Sequence, residues 1–401
     1  MISVAEARKR ILAGIRPTPA EIVSLSAAWL RVTAAPVAAR LTQPPRDVSA
    51  MDGYSLRAAD GALGAKLTMV GSSPAGHPWQ GTVGPGEAVR TFTGSIIPDG
   101  ADTILLQEDA SRNGAIVTVN EAVRPARHIR RAGQDFSEGD VLVPAGKRLN
   151  ARDIGLIAAG NHPWVVVHRA PRVAILATGD EIALPGEKIP PGGIVSSNSH
   201  ALAALVRACG GDPMVLPVAR DDLATIAAVA DSVTGMDLLI TTGGASVGDH
   251  DLVQDALKGR GMELDFWQIA MRPGKPLMFG RLGRVPMLGL PGNPVSALIT
   301  GILFALPAIE RLAGLPGDPP PVVTAILGAK LAANDHRADH LRARLATSDD
   351  GTLVATAFDR QDSAMLRLLA LSDGLILRPP HAPALAAGAT VPVIRLDLLG
   401  L

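Results

Sequence analysis

Short apolar runs alternate with segments of helical periodicity between residues 172 and 312. Four runs have the length of buried strands, and the segments between them repeat their apolar residues at the spacing of a helix face. The predicted strands are 172–178, 214–218, 237–242 and 286–290, and the predicted helices are 201–209, 223–233, 252–258 and 294–312. Because parallel strands need crossover helices, this alternation predicts a central parallel α/β sheet with helices on both faces.

The last of these helices is the longest apolar segment of the chain. Pro294 stands at a permitted first-turn position, and Gly314 can end the helix. Polar and helix-bending residues interrupt the apolar stretch from Val295 to Ile309, which is also shorter than a bilayer requires. We therefore predict a buried helix and no membrane association.

The first 170 residues have a different pattern. Residues 4–12 and 21–30 have apolar residues at helical spacing, and the breaker Gln-Pro-Pro follows at 43–45. Short apolar runs separated by glycine and proline come next, at 66–70, 88–92, 103–107 and 115–119. Residues 151–159 are again helical in spacing, so we expect the chain to return to the N-terminal helices after a small inserted β domain.

These patterns predict an α/β and β multidomain fold. The length of 401 residues also favours several domains, because it exceeds what a single hydrophobic core usually supports. A Pro- and Gly-rich linker at 316–321 marks the last boundary. The predicted domains are a discontinuous helical N-terminal domain (1–44 plus 144–170), a small β domain (45–143), a central α/β domain (171–315) and a C-terminal β domain (316–401).

Composition excludes several classes of protein. Lys plus Arg equals Asp plus Glu, so the chain lacks the basic excess of a non-specific nucleic-acid binder. The single cysteine, Cys209, excludes a disulfide framework, and its apolar helix neighbours predict a buried structural thiol. The N-terminal segment lacks the apolar run of a signal peptide. We expect a cytoplasmic protein without nucleic-acid partners.

All four predicted strands end in glycines, acids or amides, at the edge where open parallel sheets bind ligands. The most informative end is TTGGASVGDHD at 241–251. Its glycines let backbone N–H groups approach an anion, Ser246 adds a hydroxyl donor, and Asp249 and Asp251 can bind Mg²⁺. It matches neither a Walker A loop nor a dinucleotide fingerprint. The alternative for the glycines is a plain turn with an aspartate N-cap.

Two further strand ends and one tight turn are candidate sites. Asp180 and Glu181, after the first strand, are either metal ligands or turn residues, and one of the acids at 221–222 is expected to cap the next helix. The segment RPGKP at 272–276 places Arg272 and Lys275 around a turn. That arrangement suits an oxyanion, although a solvated basic loop has the same composition.

Together these motifs resemble those of one family, the molybdopterin molybdenumtransferases (MoeA and the gephyrin E domain). The matching segments are SAMDGY (49–54), TG (93–94), PDGAD (98–102), RAGQDF (131–136), TGDE (178–181), GGASVGDHD (243–251), RPGKP (272–276) and LPGNPVS (290–296). The resemblance extends over essentially the whole chain and implies an elongated four-domain homodimer. It implies Mg²⁺-dependent insertion of molybdate into adenylylated molybdopterin with release of AMP, with the molybdopterin adenylyltransferase as the expected partner.

The segment TTGGASVGDHD and the resemblance assign roles to individual positions. At the reacting centre we expect Asp52, Thr93, Glu181, Asp221 and Asp251, with Asp52 and Thr93 reaching the site of the partner subunit. Adenylylated molybdopterin is expected at Gly243, Gly244, Ser246, Gly248, Lys275, Pro291, Gly292 and Asn293. Molybdate is expected at Arg272, Pro273, Ser296, Arg342 and Ser363, and Mg²⁺ at Glu181, Asp249 and Asp251. Asp222 and Arg344 are the alternatives to Asp221 and Arg342.

Two positions depart from the family pattern, which commonly has lysine in place of Arg272 and often in place of Gln268. Two other functions fit parts of the sequence: a non-catalytic molybdopterin-binding scaffold or carrier, and a pyrophosphatase-like enzyme that shares the α/β domain. The retained acids and the lack of long linkers favour the enzyme over the scaffold. The SAMDGY and TG segments disfavour the pyrophosphatase, which would not need them.

Overall fold

The computed structural model describes residues 1–220, 222–243 and 259–399. The helices are α1 (Val4–Ala13), α2 (Ala151–Ala159), α3 (Asn198–Ala208), α4 (Leu223–Ser232), α5 (Pro294–Thr300), α6 (Leu306–Leu312) and α7 (Leu366–Ala370), with a π turn at Gly301–Ala305. The strands of the first 170 residues are β1 (Ala20–Ser24), β2 (Val37–Ala38), β3 (Val48–Ser49), β4 (Gly53–Leu56), β5 (Lys66–Ser73), β6 (Glu87–Thr91), β7 (Thr103–Leu106), β8 (Ala110–Asn113), β9 (Ile116–Val119), β10 (Ile129–Arg130), β11 (Val141–Val143) and β12 (Trp164–His168). The later strands are β13 (Arg172–Ala177), β14 (Ile182–Ala183), β15 (Ile194–Val195), β16 (Asp212–Val215), β17 (Leu238–Thr242), β18 (Met262–Gln268), β19 (Met271–Arg272), β20 (Pro276–Leu282), β21 (Val285–Leu290), β22 (Val322–Leu327), β23 (Ala338–Thr347), β24 (Leu353–Ala357), β25 (Gly374–Arg378) and β26 (Thr390–Arg395).

The segment after α1 forms strands instead of a second helix. Strand β1 pairs with β12 in antiparallel register, with Ile22 opposite Val166. The helix predicted for 21–30 is therefore wrong. The β-branched Ile22 and Val23 suit a half-buried strand, and pairing with a distant strand overrides their local helical spacing. Strand β2 pairs with β11, and α2, which matches the predicted helix 151–159, packs in the same cluster as Val23.

A six-stranded mixed sheet, in the order β7-β4-β6-β5-β9-β8, follows. It contains the four strands predicted from the short apolar runs. Strand β4 lies between β6 and β7 and begins at Gly53, where a Cβ would come 2.0 Å from the Leu105 carbonyl oxygen. Only glycine fits so close to a neighbouring backbone.

The central sheet also has six strands, in the order β16-β13-β17-β21-β20-β18. The first four strands are parallel, as predicted. Strands β20 and β18, which the sequence analysis did not predict, are antiparallel, so the complete sheet is mixed. The two residues Gly283 and Arg284 join β20 to β21, and so short a connection joins only antiparallel strands.

Helices cover both faces of this sheet, as predicted. Val173 and Ile175 of β13 pack in the layer that contains α1, α3, α5 and α6. Ala174 and Leu176 point to the opposite layer, where Ile226 of α4 packs. In the described part of the chain one helical stretch, Pro294–Leu312, is long and apolar enough to cross a bilayer, and 83% of its apolar window is buried inside the protein.

The C-terminal strands form a closed ring. Strand β23 pairs with β24 and β25, while β22 and β26 complete the circuit. The short strand β19 of the central segment pairs in parallel with β23, Arg272 lying opposite Asp339. This pairing fixes the RPGKP turn against the C-terminal strands. The predicted α/β and β multidomain fold class is confirmed.

Candidate functional site

A cavity of about 1200 Å³ lies at the carboxyl ends of β13, β17 and β21. Thr178, Gly243 and Pro291, the residues that follow these strands, line it together with Arg337 and Ser363 of the C-terminal segment. The cavity therefore lies between the central sheet and the C-terminal strands, at the edge where parallel sheets bind ligands.

The structure brings many of the predicted site residues together around this cavity. Those that line it are Glu181, Gly243, Arg272, Pro273, Lys275, Pro291, Gly292, Asn293, Ser296 and Ser363. Predicted residues outside the described part of the chain are Asp221, Gly244, Ser246, Gly248, Asp249 and Asp251. Predicted residues that do not line the cavity are Asp52, Thr93 and Arg342.

The RPGKP turn is held from two sides. Arg272 donates from Nε and Nη2 to the two carboxylate oxygens of Asp339, at 2.9 and 3.0 Å. The same hydrogen bonds raise the pKa of Arg272. Gly274 has a φ of +109°, and a Cβ there would come 2.5 Å from Cγ2 of Thr300. The turn is therefore fixed to β23 and closely packed on α5.

Lys275 is the lining cation whose charge is available. Arg272 has Asp339 as a counter-ion, and Arg337, which also lines the cavity, pairs with Asp335 at 2.6 Å. The half-buried Lys275 has no ion pair or side-chain hydrogen bond within residues 1–220, 222–243 and 259–399. An unpaired ammonium group that lines a cavity is a natural partner for an anion.

Ser363 connects the two halves of the cavity wall. Its hydroxyl accepts a hydrogen bond from Nδ2 of Asn293 at 2.9 Å, and its carbonyl accepts one from the Val295 amide at 3.1 Å. These contacts place Ser363 beside the start of α5, where the buried Ser296 also lines the cavity. Two serine hydroxyls from distant parts of the chain are thus available in one cavity.

Asn198 is a lining residue that the sequence analysis missed. Its Nδ2 donates to Oγ1 of Thr242 at 2.8 Å and to the Gly292 carbonyl at 2.7 Å. Thr242 in turn donates to the Pro291 carbonyl at 3.2 Å. Asn198 therefore holds the ends of β17 and β21 together. The available signal was an asparagine just before the helix predicted for 201–209.

Arg342 lies behind the cavity wall, with 1% of its surface exposed. Its guanidinium donates to Oε1 of Gln361 and to the backbone carbonyls of Arg360, Asp362 and Met365. This burial conflicts with the direct molybdate contact predicted for Arg342. Its hydrogen bonds instead anchor the loop that contains Ser363. The alternative, Arg344, is exposed and lies over the Phe358 ring.

Among the described lining residues the acid is Glu181, whose exposed carboxylate folds back over Gly179. Within the described ranges no group of three or more His, Cys, Asp or Glu residues could hold a metal ion. Asp249 and Asp251 lie outside those ranges. Asp222 caps α4, accepting a hydrogen bond from the Thr225 amide at 2.8 Å, which matches the predicted helix cap.

Asp52 and Thr93 contact each other beside strands β4 and β6 of the inserted sheet, and neither lines the cavity. The Thr93 amide and hydroxyl both donate to Oδ1 of Asp52, at 2.8 and 2.9 Å. These hydrogen bonds lower the pKa of Asp52, because they stabilise the carboxylate. The sequence analysis predicted both residues for the site. In the structure they form a hydrogen-bonded pair outside the cavity of their own chain.

Two residues singled out from the sequence are outside the cavity. Gln268 ends β18 opposite Pro276, and it is not among the lining residues. Cys209 is buried, and burial raises the pKa of its thiol to about 12, as expected of a structural cysteine.

Comparisons with known proteins cover nearly the whole chain. Residues 2–160 match the MoeA N-terminal region (domain I and II), residues 174–311 a probable molybdopterin binding domain, and residues 324–396 the MoeA C-terminal region (domain IV). A molybdopterin molybdenumtransferase from Nostoc is 34% identical over 94% of this chain and 89% of its own. One from Haemophilus influenzae is 32% identical over 98% of both chains.

A solved structure has the same architecture. The MoeA molybdopterin biosynthesis protein of Pyrococcus horikoshii has 28% sequence identity and a TM-score of 0.85, with 98% of this chain and 99% of that chain covered. Length, domain order and fold therefore agree with those of the named relatives. The chain belongs to the MoeA family of molybdopterin molybdenumtransferases.

Proposed function

We propose that the protein inserts molybdate into the dithiolene of adenylylated molybdopterin and releases AMP, completing the molybdenum cofactor. Membership of a transferase family supports the overall reaction. The main structural support is Lys275, which lacks a counter-ion among the described residues and lines a cavity of about 1200 Å³. A cavity of that size accommodates a nucleotide-sized anion.

The strand ends are proposed to hold adenylylated molybdopterin. Gly243, Pro291 and Gly292 line the cavity, and Asn293 is fixed by its hydrogen bond to Ser363. Lys275 neutralises a phosphate there. Gly244, Ser246 and Gly248, which are outside the described residues, are proposed for the same role from the sequence.

Molybdate is proposed to bind beside the RPGKP turn. Because Asp339 neutralises much of the Arg272 charge, the hydroxyls of Ser296 and Ser363 act as the principal donors next to Lys275. Pro273 shapes the turn. Arg342 acts indirectly, because it holds the loop that contains Ser363.

Glu181, with Asp249 and Asp251, is proposed to bind Mg²⁺. Carboxylate oxygens are the ligands that this ion prefers, and Glu181 is exposed at the cavity. When bound, Mg²⁺ would neutralise phosphate charge as the phosphoanhydride is hydrolysed. Asp221 is proposed to support the same region, also from the sequence.

A homodimer would complete the site. Asp52 and Thr93 do not line the cavity of their own chain, so we propose that they act at the cavity of the partner subunit. The molybdopterin adenylyltransferase is the proposed supplier of substrate, and the cytoplasm the proposed compartment.

AMP release from adenylylated molybdopterin tests this function. Purified protein with Mg²⁺ should release AMP and form active cofactor when molybdate is added, and substantially less without it. Tight substrate binding with no molybdate-dependent release would instead support the non-catalytic scaffold or carrier.

A further inference from the structure

Arg90 of β6 lies between two aromatic rings. Its guanidinium carbon is 5.1 Å from the centre of the Tyr54 ring and 4.9 Å from that of Phe92. Tyr54 is the cross-strand neighbour of Arg90, and 6% of its surface is exposed. A planar guanidinium between two π faces has little rotational freedom, so its N–H groups point in fixed directions.

Those N–H groups hold the backbone next to Asp52. Nη1 of Arg90 donates to the Gly53 carbonyl at 3.1 Å, and Nη2 donates to Oε1 of Gln107 at 2.6 Å. The Gln107 amide in turn donates to the Asp52 carbonyl at 3.2 Å. Arg90 is therefore connected directly to the Gly53 carbonyl and, through Gln107, to the Asp52 carbonyl.

Arg90 also acts on the Asp52 carboxylate by charge. The two hydrogen bonds from Thr93 are the larger causes of the lowered pKa of Asp52, and the nearby positive charge of Arg90 lowers it further. Thr93 follows Phe92, one of the two rings that hold Arg90. The same arginine is thus connected to both members of the Asp52–Thr93 pair.

We propose that Arg90 is the positioning residue of the Asp52–Thr93 pair, and that its aromatic clamp fixes the direction in which the Asp52 carboxylate is presented. The inference rests on the proposed function of that pair at the partner subunit's cavity. Arg90 itself does not line its own chain's cavity, so its effect on the reaction is indirect.

Arg90→Met and Arg90→Lys test the role in the full-length protein, with Arg127→Met as the matched control. Arg127 lies in the same region and pairs with the half-exposed Glu121 at 2.8 Å. Lysine keeps the charge but cannot donate to Gly53 and Gln107 in the geometry of the fork. We expect kcat for AMP release to fall about 10- to 100-fold in both Arg90 variants, because a misplaced catalytic group loses about that much. The KM for molybdate should stay unchanged in both Arg90 variants. The control, Arg127→Met, should keep the kcat of the wild type.

A second measurement does not depend on activity. Carboxyl-carbon NMR titration should give a higher pKa for Asp52 in Arg90→Met than in the wild type and in Arg127→Met. Wild-type kcat and an unshifted Asp52 titration in a folded Arg90→Lys protein would overturn the proposal.

Asp52→Asn separates this proposal from the proposed function. A loss of activity in Asp52→Asn, with wild-type kcat in Arg90→Lys, would reject Arg90 alone. Full activity in Asp52→Asn would reject the function of the pair, and the Asp52 titration would then decide whether Arg90 positions that carboxylate.

Discussion

Arg272 and Asp339 form a bidentate ion pair between the RPGKP turn and the C-terminal strands. The two hydrogen bonds measure 2.9 and 3.0 Å, and the carboxylate side chain of Asp339 is only 6% exposed. A lysine at position 272 could not make two parallel N–H···O bonds to one carboxylate. The arginine therefore acts as a clamp between two parts of the cavity wall, and its charge is largely neutralised.

Asp339→Asn should raise the KM for molybdate about tenfold while kcat changes less, because the turn loses a charge-assisted anchor. Steady-state AMP release at varied molybdate concentration measures this effect. Asp397→Asn is the control, since Asp397 belongs to an exposed pair with Arg395 on the C-terminal strands. An unchanged molybdate KM in Asp339→Asn would show that the clamp does not shape the molybdate site.

Lys275→Met should weaken the binding of AMP by about 1–3 kcal/mol, the usual value of a charge-assisted contact. Lys275→Arg should retain most of the affinity, because it keeps the positive charge. Isothermal titration with AMP at two salt concentrations tests both variants, with Lys330→Met as an exposed control. Equal affinities for wild type and Lys275→Met would exclude Lys275 from the nucleotide subsite.

Arg342→Met should affect stability and activity together. The loss of the guanidinium leaves the carbonyls of Arg360, Asp362 and Met365 without their donor, at a cost of about 2–5 kcal/mol. Ser363→Ala should leave the unfolding temperature nearly unchanged and raise only the molybdate KM. Thermal unfolding and molybdate titration of both variants make the comparison. A stable Arg342→Met protein would contradict the anchoring role.

His340 gives the protein a predictable pH dependence. Burial lowers the pKa of His340 to about 4, against 6.5 for an exposed histidine. The unfolded chain therefore binds a proton that the folded chain does not, so stability is fully present above pH 6.5 and falls as the pH drops toward 4. A shift of that size corresponds to at most about 3 kcal/mol. In His340→Gln, unfolding temperatures at pH 7 and pH 5 should differ less than in the wild type, whereas the exposed control His77→Gln should match the wild type.

Much of the central sheet could be predicted because buried parallel strands leave a strong local signal. Alternate residues of β13 pack in two different layers, so the whole run is apolar. Strand β1 had no such signal. Its pairing with β12 depends on a segment more than a hundred residues away. The apolar residues of 21–30 recur at the spacing of a helix face, so the local pattern favoured a helix.

The candidate site was predicted only in part, for a related reason. Asn293 could be identified because it follows a predicted parallel strand, at the sheet edge where ligands bind. Lys275 could be identified because RPGKP places two cations around one tight turn. The distinction between Arg337, which lines the cavity, and Arg342, which lies behind it, depends on how β23 packs against the loop at 360–365. That packing involves contacts between distant residues, which local sequence does not specify.

Glu181→Gln should abolish molybdate-dependent AMP release while leaving the fold intact, because the side chain of Glu181 is exposed and glutamine has nearly the same size and shape. The neutral amide is a poor ligand for Mg²⁺, so raising the Mg²⁺ concentration should recover little activity. Glu187→Gln, an exposed substitution a few residues away that lies outside the cavity lining, is the matched control. If Glu181→Gln released AMP at the wild-type rate and with the wild-type Mg²⁺ dependence, Glu181 would have no part in metal binding. If instead it lost activity but bound Mg²⁺ normally, its carboxylate would act on the substrate directly, and the metal would be held by other residues.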